Sequence, residues 1–383
     1  MIENKINKLK KLINKYNVDG YIIPKNDAYF AEYSFPNRLK TISNFSGSAG
    51  FAIILNNESY LFVDGRYTLQ AKIESGKYFK IIEIPKLWPK DILKKYKRKL
   101  SIGFDPQLFT NRTLINQFNF ICNLIPIKEN LIDQIYKEKN KDYVSYYYNL
   151  SNKIAGESIN SKINRLLKKI KSKNIDNIFI SAPENVAWLL NLRGKDNPFS
   201  PIPNCKIILT KSKKIYFFSC PLKIKNIKKI IPYNKFKFYE YKDFSKIISN
   251  LPGESFCVDN LTCSSFNESI IKSSFDVKSF IDPCYGMKSI KNLEEIKNMK
   301  NAHIKDGLAL TKFIYWIKNN NHKNLTEISA QNKLEKFRKL NKEYIFPSFN
   351  TIAGSGPNGA IIHYRASKSS NRKISKKDIF LCD

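Results

Sequence analysis

Residues 51–64 read FAIILNNESYLFVD and residues 206–219 read KIILTKSKKIYFFS. In each, two short apolar runs rich in β-branched and aromatic residues flank a polar break, NNE in the first and KSK in the second. That is the pattern of two strands joined by a tight turn. The segments upstream also match. An amphipathic helix over about 2–16 leads into GYIIP, NDAYFAEYS and NFSGSAG; a basic helix over about 159–172 leads into NIFIS, PENVAWLLN and NLRGKDNPFSPIPN. The interval from Tyr21 to Phe51 is 30 residues and that from Ile178 to Lys206 is 28. One αβαββ unit is therefore drawn twice, and two α/β domains are expected, over 1–135 and 144–285. The charged, glycine-free stretch from about 128 to 143 reads as their linker.

After DPCYGMKS (282–289), where Pro283 and Gly286 punctuate the chain, the pattern changes and a third section, 288–383, is expected. Asn292 and Glu295 have the form of a capping box. Leu293, Ile296, Ile304, Leu308 and Phe313 follow at near-helical spacing. Thr326 is placed to cap a second helix through EISAQNKLEKFRKL. PSFNTIAGSG, AIIHY and DIFLCD all read as strands, the last of them buried.

With 383 residues, 42% of them hydrophobic, the chain can bury a sizeable core. No apolar run approaches the ~18 residues of a membrane span, and the N-terminal stretch is amphipathic where a signal peptide is apolar, so a cytoplasmic home is expected. Seven cysteines are scattered without C-x-x-C spacing and read as buried thiols. The formal charge of +33 raises nucleic-acid binding, but lysines occur in every segment alongside Asn and Ile. This is a compositional bias with no dedicated site, and no specific nucleic-acid partner is expected.

Three histidines are present. His303 and His322 fall in polar helical surroundings and read as solvated. His363 follows GPNGAII, so a turn is expected to deliver a short apolar strand with the imidazole near its end, where it could exchange a proton near neutral pH. Asp383 closes the run IFLC. A carboxylate on a buried strand needs an Arg, several N–H donors or a divalent metal to offset desolvation, and the residues alone leave that choice open. Arg66 in DGRY and Arg193 in NLRGKD could reach a substrate or make ordinary local contacts.

The run LTEISAQNKLEKFR…FPSFNTIAGSGPNGAIIHYRAS…DIFLCD closely resembles the start of the catalytic domain of the Xaa-Pro aminopeptidases of the three-domain cytosolic type. The likeness extends through MKSIKNLEEIKNMKNAHIKDGLAL, ENVAWLLNLRGKDNP and FSGSAGFAIILNNESYLFVDGRYTLQA. It implies two creatinase-type N-terminal α/β domains and an α+β "pita-bread" domain holding two divalent metal ions, usually manganese. The implied activity is removal of the N-terminal residue from peptides with proline second, by a metal-bridged hydroxide. By the same resemblance Asp383 is the first of five metal ligands, His363 assists at the substrate carbonyl, Phe349 forms an aromatic wall of the substrate pocket, and the protein is a homodimer. A prolidase or creatinase relative, or a non-catalytic basic binding protein on the same fold, are the alternatives.

The other metal ligands are expected beyond Asp383, so the sequence reads as cut inside its catalytic domain. One carboxylate cannot supply the cage a hard cation needs. The 383-residue chain is accordingly expected to hold no metal pair stably and to cleave no peptide. Incubation with an Xaa-Pro peptide and added manganese checks this, and turnover well above a His363→Ala control overturns it.

Overall fold

The structure, a computed structural model, describes residues 2–33, 35–136, 145–230, 235–319 and 325–383. The chain divides into two compact units. Met1–Asn152, Glu157–Asn197 and Pro201–Ile290 form the first; Lys153–Gly156, Pro198–Ser200 and Lys291–Asp383 form the second.

Both hairpins form. In the first, β1 (Gly20–Pro24) pairs antiparallel with β2 (Phe51–Leu55), and β2 with β3 (Ser59–Asp64), placing Ile22 opposite Ile53 and Phe51 opposite Phe62. The Phe51 and Phe62 rings stack at 4.7 Å. Every residue of β1 and β2 is buried, and alternation sends successive side chains to opposite faces. Tyr21, Ile23, Ala52, Ile54 and Leu61 join a core with Leu9 and Ile13 of the first helix, Ile2–Lys15. Ile22, Phe51, Ile53 and Phe62 join a second core with Leu114 and Phe118 of the helix Asn111–Phe118.

The duplication reaches further than the αβαββ unit. The first sheet also contains β4 (Lys80–Ile84), β5 (Ser101–Phe104) and β6 (Asn123–Pro126), in the order β4-β3-β2-β1-β5-β6. A two-stranded pair, β7 (Tyr148–Asn149) with β9 (Leu192–Arg193), lies apart from both large sheets. The second sheet is built from β8 (Asn177–Ile180), β10 (Lys206–Thr210), β11 (Ile215–Phe218), β12 (Phe236–Tyr239), β13 (Ser255–Val258) and β14 (Asp276–Ser279). Its order, β12-β11-β10-β8-β13-β14, repeats the first sheet strand for strand. The outer strands β4, β6, β12 and β14 are half-exposed and mixed in polarity, so they carry little of the apolar signal that marks the centre.

Three expectations need correction. Part of the supposed linker is a helix, Leu131–Ile135, because Leu131 and Ile132 insert into the first core; residues 137–144 lie outside the described residues. Cys220 is exposed and Cys382 half-buried, while the other five cysteines are buried. In the second unit the helix Leu293–Asn319 forms, capped reciprocally by Asn292 and Glu295. Of the apolar positions singled out along it, however, only Phe313 is buried, and Leu293 is 84% exposed.

Within the first unit the two sheet domains meet through named polar contacts. Ser265 donates from its N–H to Phe109 O at 2.7 Å and from its hydroxyl to Pro106 O at 2.9 Å. Lys206, buried at the start of β10, donates from Nζ to Ala28 O at 2.8 Å. Burial pulls the Lys206 ammonium down from its ordinary 10.5 to about 8, against the weaker attractions of Cys263 and Asp27. Between those values the unfolded chain holds a proton that the folded chain releases, so stability rises with pH through that window. Urea unfolding of the protein and of Lys206→Met from pH 7.5 to 10 should show the parent gaining on the variant, by at most about 3 kcal/mol. Equal pH profiles would show that Lys206 titrates normally.

Candidate functional site

The third section is organised around an acidic residue at the start of a helix. Thr326 caps Glu327–Lys339, accepting the Ser329 N–H at 3.2 Å, while Ser329 Oγ accepts the Thr326 N–H. The next residue, Glu327, is fully buried. Its Oε1 accepts the Ser355 N–H at 2.8 Å and the Asn358 amide at 3.0 Å; its Oε2 accepts the Tyr364 hydroxyl at 2.8 Å and the Arg372 N–H at 2.9 Å. An unpaired buried carboxylate would cost several kcal/mol. Here four donor groups and the positive end of the helix replace its water.

Those donors come from separate pieces of chain, which the carboxylate gathers. Ser355 ends β15 (Ala353–Ser355), which pairs antiparallel with β16 (Phe380–Cys382), Ala353 opposite Cys382. The ladder continues through mutual backbone hydrogen bonds between Ile352 and Asp383, at 2.8 and 2.9 Å. Ser355 Oγ donates to Asp378 at 2.9 Å, and this bond leads the causes that hold the Asp378 carboxyl below its usual range. Beyond Ser355 a 3-10 turn, Gly356–Ala360, folds back over the ladder. A Cβ on Gly354 would come within 2.9 Å of Gly359 Cα, so only glycine allows that approach. Phe313, Leu325, Ala330, Leu334 and Ile374 form the small apolar core beneath.

The predicted site residues lie on the exposed side of this frame. Asp383 is exposed, with its backbone paired to Ile352. It does not close a buried strand: Ile379 is 86% exposed, and only Phe380 and Cys382 pack on the core. Phe349 is 37% exposed and lies three residues before Ile352, so the register brings its segment to the Asp383 end of the ladder. The expected strand AIIHY is absent. Ala360 belongs to the 3-10 turn, and Ile361 and Ile362 are exposed in the turn that follows. Their backbone is committed to local turns, with Ile361 N–H on Asn358 O and Tyr364 N–H on Ile361 O. His363 is exposed at φ +55°, in the left-handed region.

His303 is exposed, with Nδ1 2.9 Å from Met299 O, and His322 lies outside the described residues. Arg66 pairs with Asp64 at 2.8 Å, and Arg193 donates to Ala187 O and Leu192 O, so both serve local structure. Sequence reasoning missed Glu327, Asn358, Tyr364 and Asp378. Glu327 looks like any acidic residue in a first helical turn, and only the folded chain shows what it gathers. Among the described residues no three or more His, Cys, Asp or Glu side chains cluster to hold a metal. These donors therefore do not fit a divalent pair, which takes about six oxygen ligands per ion.

Comparison with known proteins places this architecture. Residues 5–135 and 139–295 each match the creatinase/prolidase N-terminal domain, and residues 297–383 match metallopeptidase family M24. A Drosophila melanogaster Xaa-Pro aminopeptidase is 31% identical over 96% of this chain and 62% of its own length. A probable Xaa-Pro aminopeptidase P of Laccaria bicolor is 30% identical over 98% of this chain and 61% of its own. The chain thus spans under two thirds of the length of these curated relatives. The crystal structure of an X-prolyl aminopeptidase from Caenorhabditis elegans, described as a cytosolic enzyme with a di-nuclear active site, superposes with a TM-score of 0.89 at 25% identity, over 100% of this chain and 67% of that one. The chain thus carries two tandem creatinase/prolidase N-terminal domains followed by a segment of metallopeptidase family M24, and along its length it is similar to the Xaa-Pro aminopeptidases.

Proposed function

We propose that this chain works in a metallo-aminopeptidase that removes the N-terminal residue from peptides with proline in the second position. The observation that carries the reading is the agreement along the whole chain, at a TM-score of 0.89, with an X-prolyl aminopeptidase. We carry over from that enzyme a cytosolic location and a di-nuclear active site; a pair of divalent ions, with manganese as the metal, and a homodimer as the assembly are assigned from the family resemblance of the sequence. Asp383 is assigned as one carboxylate ligand of the pair. Because the described residues supply no full ligand set, no step of the reaction is derived through the metals.

The chain's own residues have definable tasks. Proline in the second position makes the scissile bond a tertiary amide with no N–H to recognise, so selection must come from the shape of the ring against pocket walls. Phe349, exposed near the Asp383 end of the ladder, is assigned as such a wall. The His363 imidazole is assigned to donate a hydrogen bond to the substrate carbonyl oxygen as negative charge builds on it, the role in which a preorganised donor contributes most.

The complete translated product carrying these residues, supplied with Mn2+, should release the first residue from an Xaa-Pro peptide and leave the matching Xaa-Ala peptide intact. His363→Ala should lower kcat about 10²–10³-fold. Failure to cleave any Xaa-Pro peptide, or equal cleavage of both, would overturn the assignment.

A further inference from the structure

We propose that Glu327 is a positioning residue for His363, clamping the turn that carries the imidazole through Asn358 and Tyr364. This rests on the reading of His363 as the substrate-side imidazole, and it concerns a carboxylate to which no role has been given in the chemistry.

The imidazole is carried on strained backbone. His363 has φ +55°, a left-handed conformation that is unfavourable for a residue with a Cβ. Such a conformation persists only where the surroundings over-determine it. Apolar packing does not do so here, since Ile361 and Ile362 are 37% and 55% exposed and His363 itself is exposed. Polar anchors stand at both ends of the turn. On one side Asn358 donates its amide to Glu327 Oε1 at 3.0 Å. On the other, Tyr364, directly after His363 and only 7% exposed, donates its hydroxyl proton to Glu327 Oε2 at 2.8 Å. The two anchors are tied together, because the Asn358 amide also donates to the Tyr364 oxygen at 2.8 Å.

The chain from 358 to 364 is thus a loop closed at both ends on one buried carboxylate. Bonds to an ionised acceptor are roughly twice as strong as neutral ones, and each link polarises the next. Glu327 is itself fixed by two backbone donors, Ser355 N–H and Arg372 N–H, and by its place at the helix start. A neutral amide in place of the carboxylate would keep the shape but turn two acceptors into one acceptor and one donor. The N–H and O–H groups facing Oε1 and Oε2 could not then all be satisfied.

The test is long-range proton–nitrogen NMR of the imidazoles, which is tractable because the chain has three histidines. The signals are assigned by single His→Ala variants. Glu327→Gln and Tyr364→Phe should each shift and broaden the His363 cross-peaks, leaving those of His303 and His322 in place. Unchanged His363 signals in both variants overturn the proposal. If Glu327→Gln disturbs His303 as well, Tyr364→Phe decides: a change confined to His363 supports positioning, whereas none, or one shared with His303, overturns it. Because this readout needs no turnover, it stands apart from the peptidase assignment, whose failure would appear in the cleavage assay while the imidazole spectra still reported on the clamp. If both hold, Glu327→Gln in the complete enzyme should lower kcat more than it changes KM.

Discussion

The double-faced burial of the central strands is the constraint from which most of the fold follows. Every residue of β1, β2, β8 and β10 is buried, so at its centre neither face of either sheet meets water, and both faces there must be covered. A fully buried large aliphatic or aromatic side chain contributes about 1.5–3 kcal/mol. A one-residue slip between β1 and β2 would exchange the two cores, pairing each side chain with the wrong helix layer. The register of Ile22 on Ile53 is therefore strongly specified. The same constraint explains where the charge goes. Helices covering the sheets offer only one apolar stripe each, and lysines such as Lys8 and Lys11, or Lys168, Lys169 and Lys171, occupy the outer faces. Lysine-rich segments of this kind carry much of the +33 charge.

The second unit is held together by a different balance. Among the described residues its apolar core has five buried members, against twenty in the largest core of the first unit. Polar satisfaction carries correspondingly more of the order. One carboxylate binds β15, the turn over it, Tyr364 and the backbone at Arg372. This arrangement suits the role proposed for the segment, presenting His363 to a substrate. An exposed turn cannot be fixed by burial without hiding the group it presents, whereas hydrogen bonds from its two ends can fix it and leave the imidazole outside.

Elements with a strong local signature are legible in the sequence. The hairpins at 51–64 and 206–219, the amphipathic helices at 2–15 and 159–171, the capping pair Asn292 and Glu295 and the cap at Thr326 all form. The outer strands are hard to see because half-exposed strands alternate weakly and are only four or five residues long. AIIHY misleads for the opposite reason. Two adjacent isoleucines look like a strand, but an apolar run does not say whether it will be buried, and the GPNG turn ahead of it has already committed the backbone elsewhere.

By itself, then, the order of residues determined the repeated α/β plan, its hairpins and caps, and the resemblance from which roles for Phe349, His363 and Asp383 are proposed. These depend on spacing and composition within a dozen or so residues, where local chemistry dominates. Only the tertiary structure decided which carboxylate would be buried, that Asn358 and Tyr364 would close on it, and that His363 would be held in a left-handed turn. Those are long-range facts: Glu327 and Tyr364 stand 37 positions apart, and no pattern along the chain records that a desolvated charge will collect its donors from so far away.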